Sequence, residues 1–337
     1  MEKILMIAAT EHDGSLGKPA LEALAAARTL QQGLPGSTLT VGLIGADVKK
    51  GADAIASCGA VKFMAVTGAD FRDGVYANDA AAAAALVKVA EATLVVAPGT
   101  SRINRFLSGV AQRCGGRIDT HATEIQVESG SPAVTRWYYR QRMTGVLKRT
   151  ARPWFITVDP GSIEPWSGAA GSATVEAVAA EASSKTKVVG VRSPTSGAQT
   201  IKPEAVLLFV AGAGWCKKQP DGKTHVSDAG RLILGFLDKT QASLGGSKSL
   251  VDQGGEGETL TFMTHLNQVG QTGATPRHPK GLSTCCHGEE PHVVGWRFVN
   301  ERRAINLNPS CGWAQGKTDV LYVADAFQLV ARVNELL

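Results

Sequence analysis

The 337-residue sequence has six cysteines and none of the spacings that would make them a metal site. No C-x2-C pair occurs, and the adjacent Cys285 and Cys286 are badly placed to ligate one tetrahedral ion. Zinc or an iron–sulfur cluster is therefore not expected, even with His287, His292 and Cys311 nearby in the chain. The lack of paired secretory spacing suits a reducing compartment. The formal charge is +5, yet no long Lys/Arg run is present, which argues against nucleic acid and leaves a docking face for an acidic partner. No basic leader or cleavage site precedes the opening "MEKILMIAAT", and the longest apolar segment, "AAAAALVKVAEATLVVAP", is interrupted by Lys88 and Glu91. A soluble, cytoplasmic protein without a membrane span is expected. A G-x-S-x-G elbow and a Walker A loop are both missing, which sets aside a nucleophilic hydrolase and a P-loop enzyme.

What is present is an ordinary packed composition, 44% hydrophobic and 19% charged, in a chain long enough for about two domains. Short apolar runs ("KILMIA", "TLTVGLIG", "VKFMAVT", "TLVVAP") alternate with helical segments ("KPALEALAAARTLQQ", "GADAIASCG", an Ala-rich stretch from Asn78 to Glu91). Near-continuous apolar strands between Gly-containing turns predict a parallel sheet covered on both faces. After "APGTSRINRFLSGVAQRCGG" the period changes to two in "ATEIQVES", "AVTRWYYRQ", "TGVLKRT" and "PWFITVDP", which predicts an antiparallel appendage. From Gly161 to about Pro203 the chain is rich in Gly, Ser, Ala and Thr and is expected to be a linker, with "TKVVGVRS" its one potential strand. The expected division is an α/β domain over residues 1–195 and a second over 196–337.

The second half opens on "EAVLLFVAGAGW", a buried strand running into Gly212 and Gly214 ahead of the helical "DAGRLILGFLDKTQAS". Backbone amides and a helix N-terminus in that layout can hold a phosphate, although the third glycine of the dinucleotide fingerprint is absent. Two more small-residue stretches follow: "LGGSKSLVDQGG" (Leu244–Gly255) and "NQVGQTG" (Asn267–Gly273). Such loops let a flat or anionic ligand approach the backbone, and three of them in one domain point to a large cofactor.

Taken in order, strand–"AGAG", "GGSKSLVDQG", "QVGQTG", a Gly-His segment, "AINLNP" and a final "YVADAFQLV" helix resemble the C-terminal flavin domain of electron-transfer flavoprotein alpha subunits. The segments "GTSRINRFLSGVAQRCGGRIDTHATEI", "RWYYRQRMTGVLK" and "FITVDPGSIEP" are similar to that family's first domain. The resemblance implies two α/β domains, each with a mainly parallel sheet flanked by helices, the C-terminal one Rossmann-like and binding FAD. It implies a heterodimer with a beta-type subunit that carries AMP, a flavin-dependent dehydrogenase as electron donor, and a downstream quinone-linked or other redox acceptor. Carried over by position, Ser247 and Lys248 meet the diphosphate or ring edge, and Gln268, Val269, Gly270, Gln271 and Thr272 line the isoalloxazine and ribityl chain. His287, Gly288 and His292 wrap the middle of the cofactor, Asn306 takes the adenosine side and Asp325 the adenine end.

The chemistry of FAD agrees with these residue types. Its N1–C2=O edge becomes anionic on reduction, and a cation or imidazolium such as Lys248 or His292 favours that form. The sequence departs from the family's pattern where Ala213 stands for the Arg of a "GGRG" turn, where Lys248 stands for an Arg, and where "CCHGEEPH" stands for "GISGAIQH". Ala213 removes a cation, Lys248 lacks the planar fork, and Glu289 and Glu290 add negative charge that opposes an anionic flavin. The expected function is electron carriage rather than transformation of a substrate. The alternatives are a non-redox scaffold subunit that has lost tight flavin binding and a nucleotide-dependent enzyme on a similar fold.

Overall fold

The computed structural model describes residues 1–138, 143–191, 201–202, 204–251, 259–269, 277–285, 299–310 and 318–337, without the side chains of Lys248 and Cys285. The chain divides into two compact units, Met1–Arg192 and Ser193–Leu337.

The first unit follows the apolar runs closely. Strands β1 (Lys3–Ala9), β2 (Thr38–Gly45), β3 (Lys62–Thr67) and β4 (Leu94–Pro98) alternate with helices α1 (Lys18–Gly33), α2 (Lys49–Ala54), α3 (Tyr76–Val89) and α4 (Ser101–Arg113). The core strands of this parallel sheet are buried on both faces, which is why they read as unbroken Val/Ile/Leu runs rather than alternating ones. Two apolar clusters result, one on each side. One joins α1 through Leu24, Ala27 and Leu30 to Ile4, Val41 and Val96; the other joins α3 and α4 through Leu86, Phe106 and Val110 to Leu5, Ile7 and Val95.

The period-two segments form β5 (Arg117–Glu128), β6 (Ser131–Tyr138) and β7 (Met143–Leu147), with β5–β6 and β6–β7 antiparallel. The fourth such segment departs from the expectation. Strand β8 (Trp154–Val158) is fully buried and lies between β4 and β5, parallel to both, so it belongs to the central sheet and the appendage is mounted on it. Its register carries Trp154 opposite both Leu94 and Arg117.

The Gly/Ser/Ala-rich stretch after Gly161 is held to the first unit by specific bonds. Gly161 N–H donates to Glu22, Trp166 N–H to the Leu21 carbonyl, Gly171 N–H to the Asp53 carbonyl, and Ser183 N–H to Asn78 Oδ1. Its strand is β9 (Val175–Ala177), parallel to the edge of β3, while Thr186–Val191 of "TKVVGVRS" forms none. An exposed apolar run without a neighbouring edge cannot become a strand, whereas three residues beside β3 can.

The second unit is a doubly wound sheet of five parallel strands in the order β11-β10-β12-β13-β14. The strands are β10 (Leu207–Ala211), β11 (Ser243–Gly246), β12 (His278–Cys285), β13 (Val299–Asn306) and β14 (Val320–Val323). The described α-helices are α5 (Val226–Thr240), the single turn α6 (Lys248–Val251) and α7 (Ala326–Leu336). Phe209, Ala211, Leu244 and Ile305 meet Leu232, Ile233, Phe236 and Val330 on one face, while Leu208, Val210, Val269 and Val299 pack on the other.

Candidate functional site

In open parallel sheets ligands bind beyond the carboxyl ends of the strands, beside the point where the strand order reverses. In the second unit that point lies between β10 and β12. The helix N-terminus that would complete a phosphate cradle at Gly212 and Gly214 is not beside the two glycines. The turn after β10 closes as a 3-10 segment, Ala213–Cys216, and α5 starts only at Val226, so no helix N-terminus sits on the two glycines. Trp215 fills the turn instead. It is fully buried, donates from Nε1 to Thr284 Oγ1 at 2.8 Å and packs against Phe327 with ring centroids 4.6 Å apart. Thr284 Oγ1 in turn donates to the Val210 carbonyl at 2.9 Å, which ties the ends of β10 and β12 to the start of α7.

Five of the residues expected at a cofactor are described in full, and they fall into two groups. Ser247 follows β11, is 2% exposed, and accepts from Leu250 N–H at 3.1 Å, while its own N–H donates to the Ala211 carbonyl. Gln268 forms a parallel bridge with Gly246, and Val269 N–H donates to the Gly246 carbonyl at 3.1 Å. Gly245 permits this approach, because a Cβ there would lie 2.7 Å from Val269 Cγ1. The backbone of Lys248 opens α6.

Asn306 and Asp325 form the second group. Asn306 ends β13, is fully buried, and uses Oδ1 to accept from Asn308 N–H at 3.0 Å. Its Nδ2 has no partner among the described residues. Asp325 lies two residues beyond Val323, the register partner of Asn306, and caps α7: Oδ1 accepts from Phe327 N–H at 2.8 Å and Gln328 N–H at 3.1 Å. A capping aspartate is a local requirement of the helix, so replacing Asp325 with Ala is expected to cost about 1 kcal/mol of stability whether or not a ligand is bound. Thermal unfolding of flavin-free protein measures that term, and an unchanged midpoint would contradict the cap.

The two groups are three to four strands apart, about 14–19 Å from the usual inter-strand spacing. An extended dinucleotide is long enough to reach both. Gly270, Gln271, Thr272, His287, Gly288 and His292 lie outside the described residues, as do Glu289 and Glu290.

The first unit has its own crevice at the carboxyl ends of β1 and β4, a cavity of about 550 Å³ lined in part by His12, Arg72, Arg102 and Arg105. Its cations are engaged within the fold. Arg102 donates to both oxygens of buried Asp79 and to the Phe71 and Arg72 carbonyls, Arg105 donates to the Gly74 carbonyl, and Arg72 pairs with Asp73. Burial pushes the Asp79 carboxyl above its ordinary range, although the bonds and charge of Arg102 pull it down.

The family model for the electron transfer flavoprotein domain matches residues 4–183, more than half of the chain. The chain belongs to the electron transfer flavoprotein family. None of the curated proteins compared with it matches. The matched residues lie within the first unit and include β5–β8 and the segment through β9. No helix among the described residues is long and apolar enough to cross a membrane.

Proposed function

We propose that this family member is the alpha-type subunit of an electron-transfer flavoprotein, binding one FAD on the second unit. It takes electrons from a flavin-dependent dehydrogenase and passes them to a quinone-linked or other redox acceptor. A beta-type subunit carrying AMP is its partner. The observation that carries this reading is the buried, unpartnered Asn306 Nδ2 at the carboxyl end of a doubly wound parallel sheet. A desolvated amide without an acceptor destabilises the fold, so its presence at a ligand-binding edge supports a bound acceptor there.

When bound, the flavin supplies reversible one- and two-electron chemistry. The residues of this chain hold it. Asn306 donates to the adenosine side through Nδ2, Asp325 offers the oxygen that the helix cap leaves free, and Ser247 sits by the diphosphate with Gln268 and Val269 beside the ring and ribityl chain. Lys248, Gly270, Gln271, Thr272, His287, Gly288 and His292 complete the proposed set, with Lys248 and His292 favouring the reduced flavin by charge.

The partner surface is proposed on the appendage. Trp137 and Tyr138 are half-buried, with Arg136 stacked over the Tyr138 ring at 4.9 Å, while Met143 and Val146 on the edge strand are 57% and 54% exposed. Tyr139, Arg140 and Arg142 lie outside the described residues. Aromatic, Met and Arg side chains together are the composition of a buried protein contact.

Co-expression with a beta-type subunit is expected to give a yellow complex that releases about one FAD per alpha chain on denaturation, with no covalent flavin left on the protein. The chain expressed alone is expected to be poorly soluble or flavin-free. A colourless intact complex would replace this reading with the scaffold alternative, which the Trp215-filled turn would then explain. A monomeric chain that keeps flavin would refute the partner requirement.

A further inference from the structure

A second polar atom on the same sheet is in the position of Asn306 Nδ2. Ser283, in β12, is 1% exposed, and its Oγ has no hydrogen-bond partner among the described residues. Ser283 is in register with Val210 on one side and Ala304 on the other. Val210 packs with Leu208 and Val269. Ile305, by contrast, packs in the opposite cluster with α7, so by the alternation of a strand Ala304 and Asn306 face the Val269 side. The two orphaned groups therefore share one face of the sheet, on adjacent strands, displaced by two residues, about 8 Å between Cα atoms from strand spacing and rise. One ligand group between them is within reach of both.

The donor and acceptor inventory narrows what that group is. Asn306 Oδ1 already accepts from Asn308 N–H, so the group on this amide that lacks a partner is the Nδ2 donor, and a serine hydroxyl both donates and accepts. Val210 and Ala304 flank Ser283 with apolar side chains, and beside them a buried charged oxygen without a cation is costly. A hydroxyl group answers both conditions, since it accepts from the amide and donates to the serine. We propose that Ser283 and Asn306 together hold one sugar hydroxyl of the dinucleotide. The inference rests on the flavin reading above and adds Ser283 to its contacts.

Titration of flavin-depleted complex with FAD, read by quenching of flavin fluorescence, tests it together with thermal unfolding of the flavin-free protein. Ser283→Ala is expected to raise the FAD Kd about tenfold, the loss of one neutral hydrogen bond. The same variant is expected to leave the flavin-free unfolding midpoint unchanged or raise it, because it removes a desolvated hydroxyl that bonds nothing in the fold. Asn306→Asp keeps the acceptor for Asn308 N–H while deleting the donor, and is expected to weaken FAD at least as much. If Ser283→Ala binds FAD like the parent, the inference fails while the flavin reading stands. If the parent complex takes up no FAD, both fail.

Discussion

Replacing Trp215 with Ala is expected to destabilise the second unit by about 3–5 kcal/mol, the range for deleting a large, fully buried aromatic. The indole is fully buried among Phe209, Ala229, Ile233 and Phe327, so truncation leaves a cavity that the strand ends around it cannot close without moving. It also removes the donor to Thr284 and the ring that Phe327 leans on, one residue after the first turn of α7 begins. Trp215→Phe separates these effects. It keeps most of the packing, and Thr284 Oγ1 still donates to the Val210 carbonyl, so a cost of about 1 kcal/mol is expected. Hydrogen exchange at the β10 and β12 amides assigns the loss to this unit. Protection there that is equal in Trp215→Ala and the parent would refute the account. Since the indole ties the ends of β10 and β12 to the cap at Asp325, flavin retention is expected to fall with it.

The second large effect lies in the first unit. Asp119 is 3% exposed and accepts from both Arg149 nitrogens Nε and Nη2 and from Trp154 Nε1 at 2.9 Å, with Arg136 3.9 Å away. Asp119→Ala leaves the buried indole N–H and the half-buried Arg149 guanidinium without their acceptor and takes the counter-charge away from Arg136, and a loss of about 1–3 kcal/mol is expected from the unpaired groups. Burial is the largest single influence on the Asp119 carboxyl and pushes it up, but the bonds from Arg149 and Trp154 and the charges of Arg149 and Arg136 together hold it below its ordinary range. A carboxyl held lower in the folded state than in the unfolded chain stabilises the fold above the ordinary carboxylate range. That stability is lost as the pH falls through the folded value. Acid unfolding below about pH 4 is therefore expected to be steeper in the parent than in Asp119→Asn. Superimposable acid limbs would show that the network contributes nothing.

Much of the fold is legible in local pattern. Strands β1 and β2 and helices α1 and α3 coincide with their apolar runs to within two residues, because a strand buried on both faces and a helix with one apolar stripe each leave a signature in consecutive residues. Strand β8 was legible as a strand but not as a parallel one. Its five buried residues carry no mark of direction, and only the crossover through β5–β7 decides which edge it fills. Strand β9 left almost no signal, since three residues beside an open edge need backbone partners rather than hydrophobicity.

The candidate site divides in the same way. Gly245 and the segment that carries Gln268 and Val269 are marked in the sequence, because a close backbone approach demands a missing side chain. The consequence of Trp215 was hidden. Composition shows an aromatic after two glycines, and only packing shows that it occupies the turn where a phosphate was expected. Ser283 and Asn306 are a stronger case. Each is an unremarkable polar residue in its own strand, and their shared lack of a partner exists only once the register of β12 and β13 puts them on one buried face.

By itself, then, the amino-acid order determined the type and order of the long apolar elements, the two α/β units and the glycine positions that bring backbones together, since these depend on neighbours a few residues away. Tertiary structure alone decided the direction of β8, the attachment of the segment from Gly161 to Ser183, the plugged turn at Trp215 and the paired orphans at Ser283 and Asn306. Each of these depends on which distant strands become neighbours and on which polar atoms are then left without water or a partner.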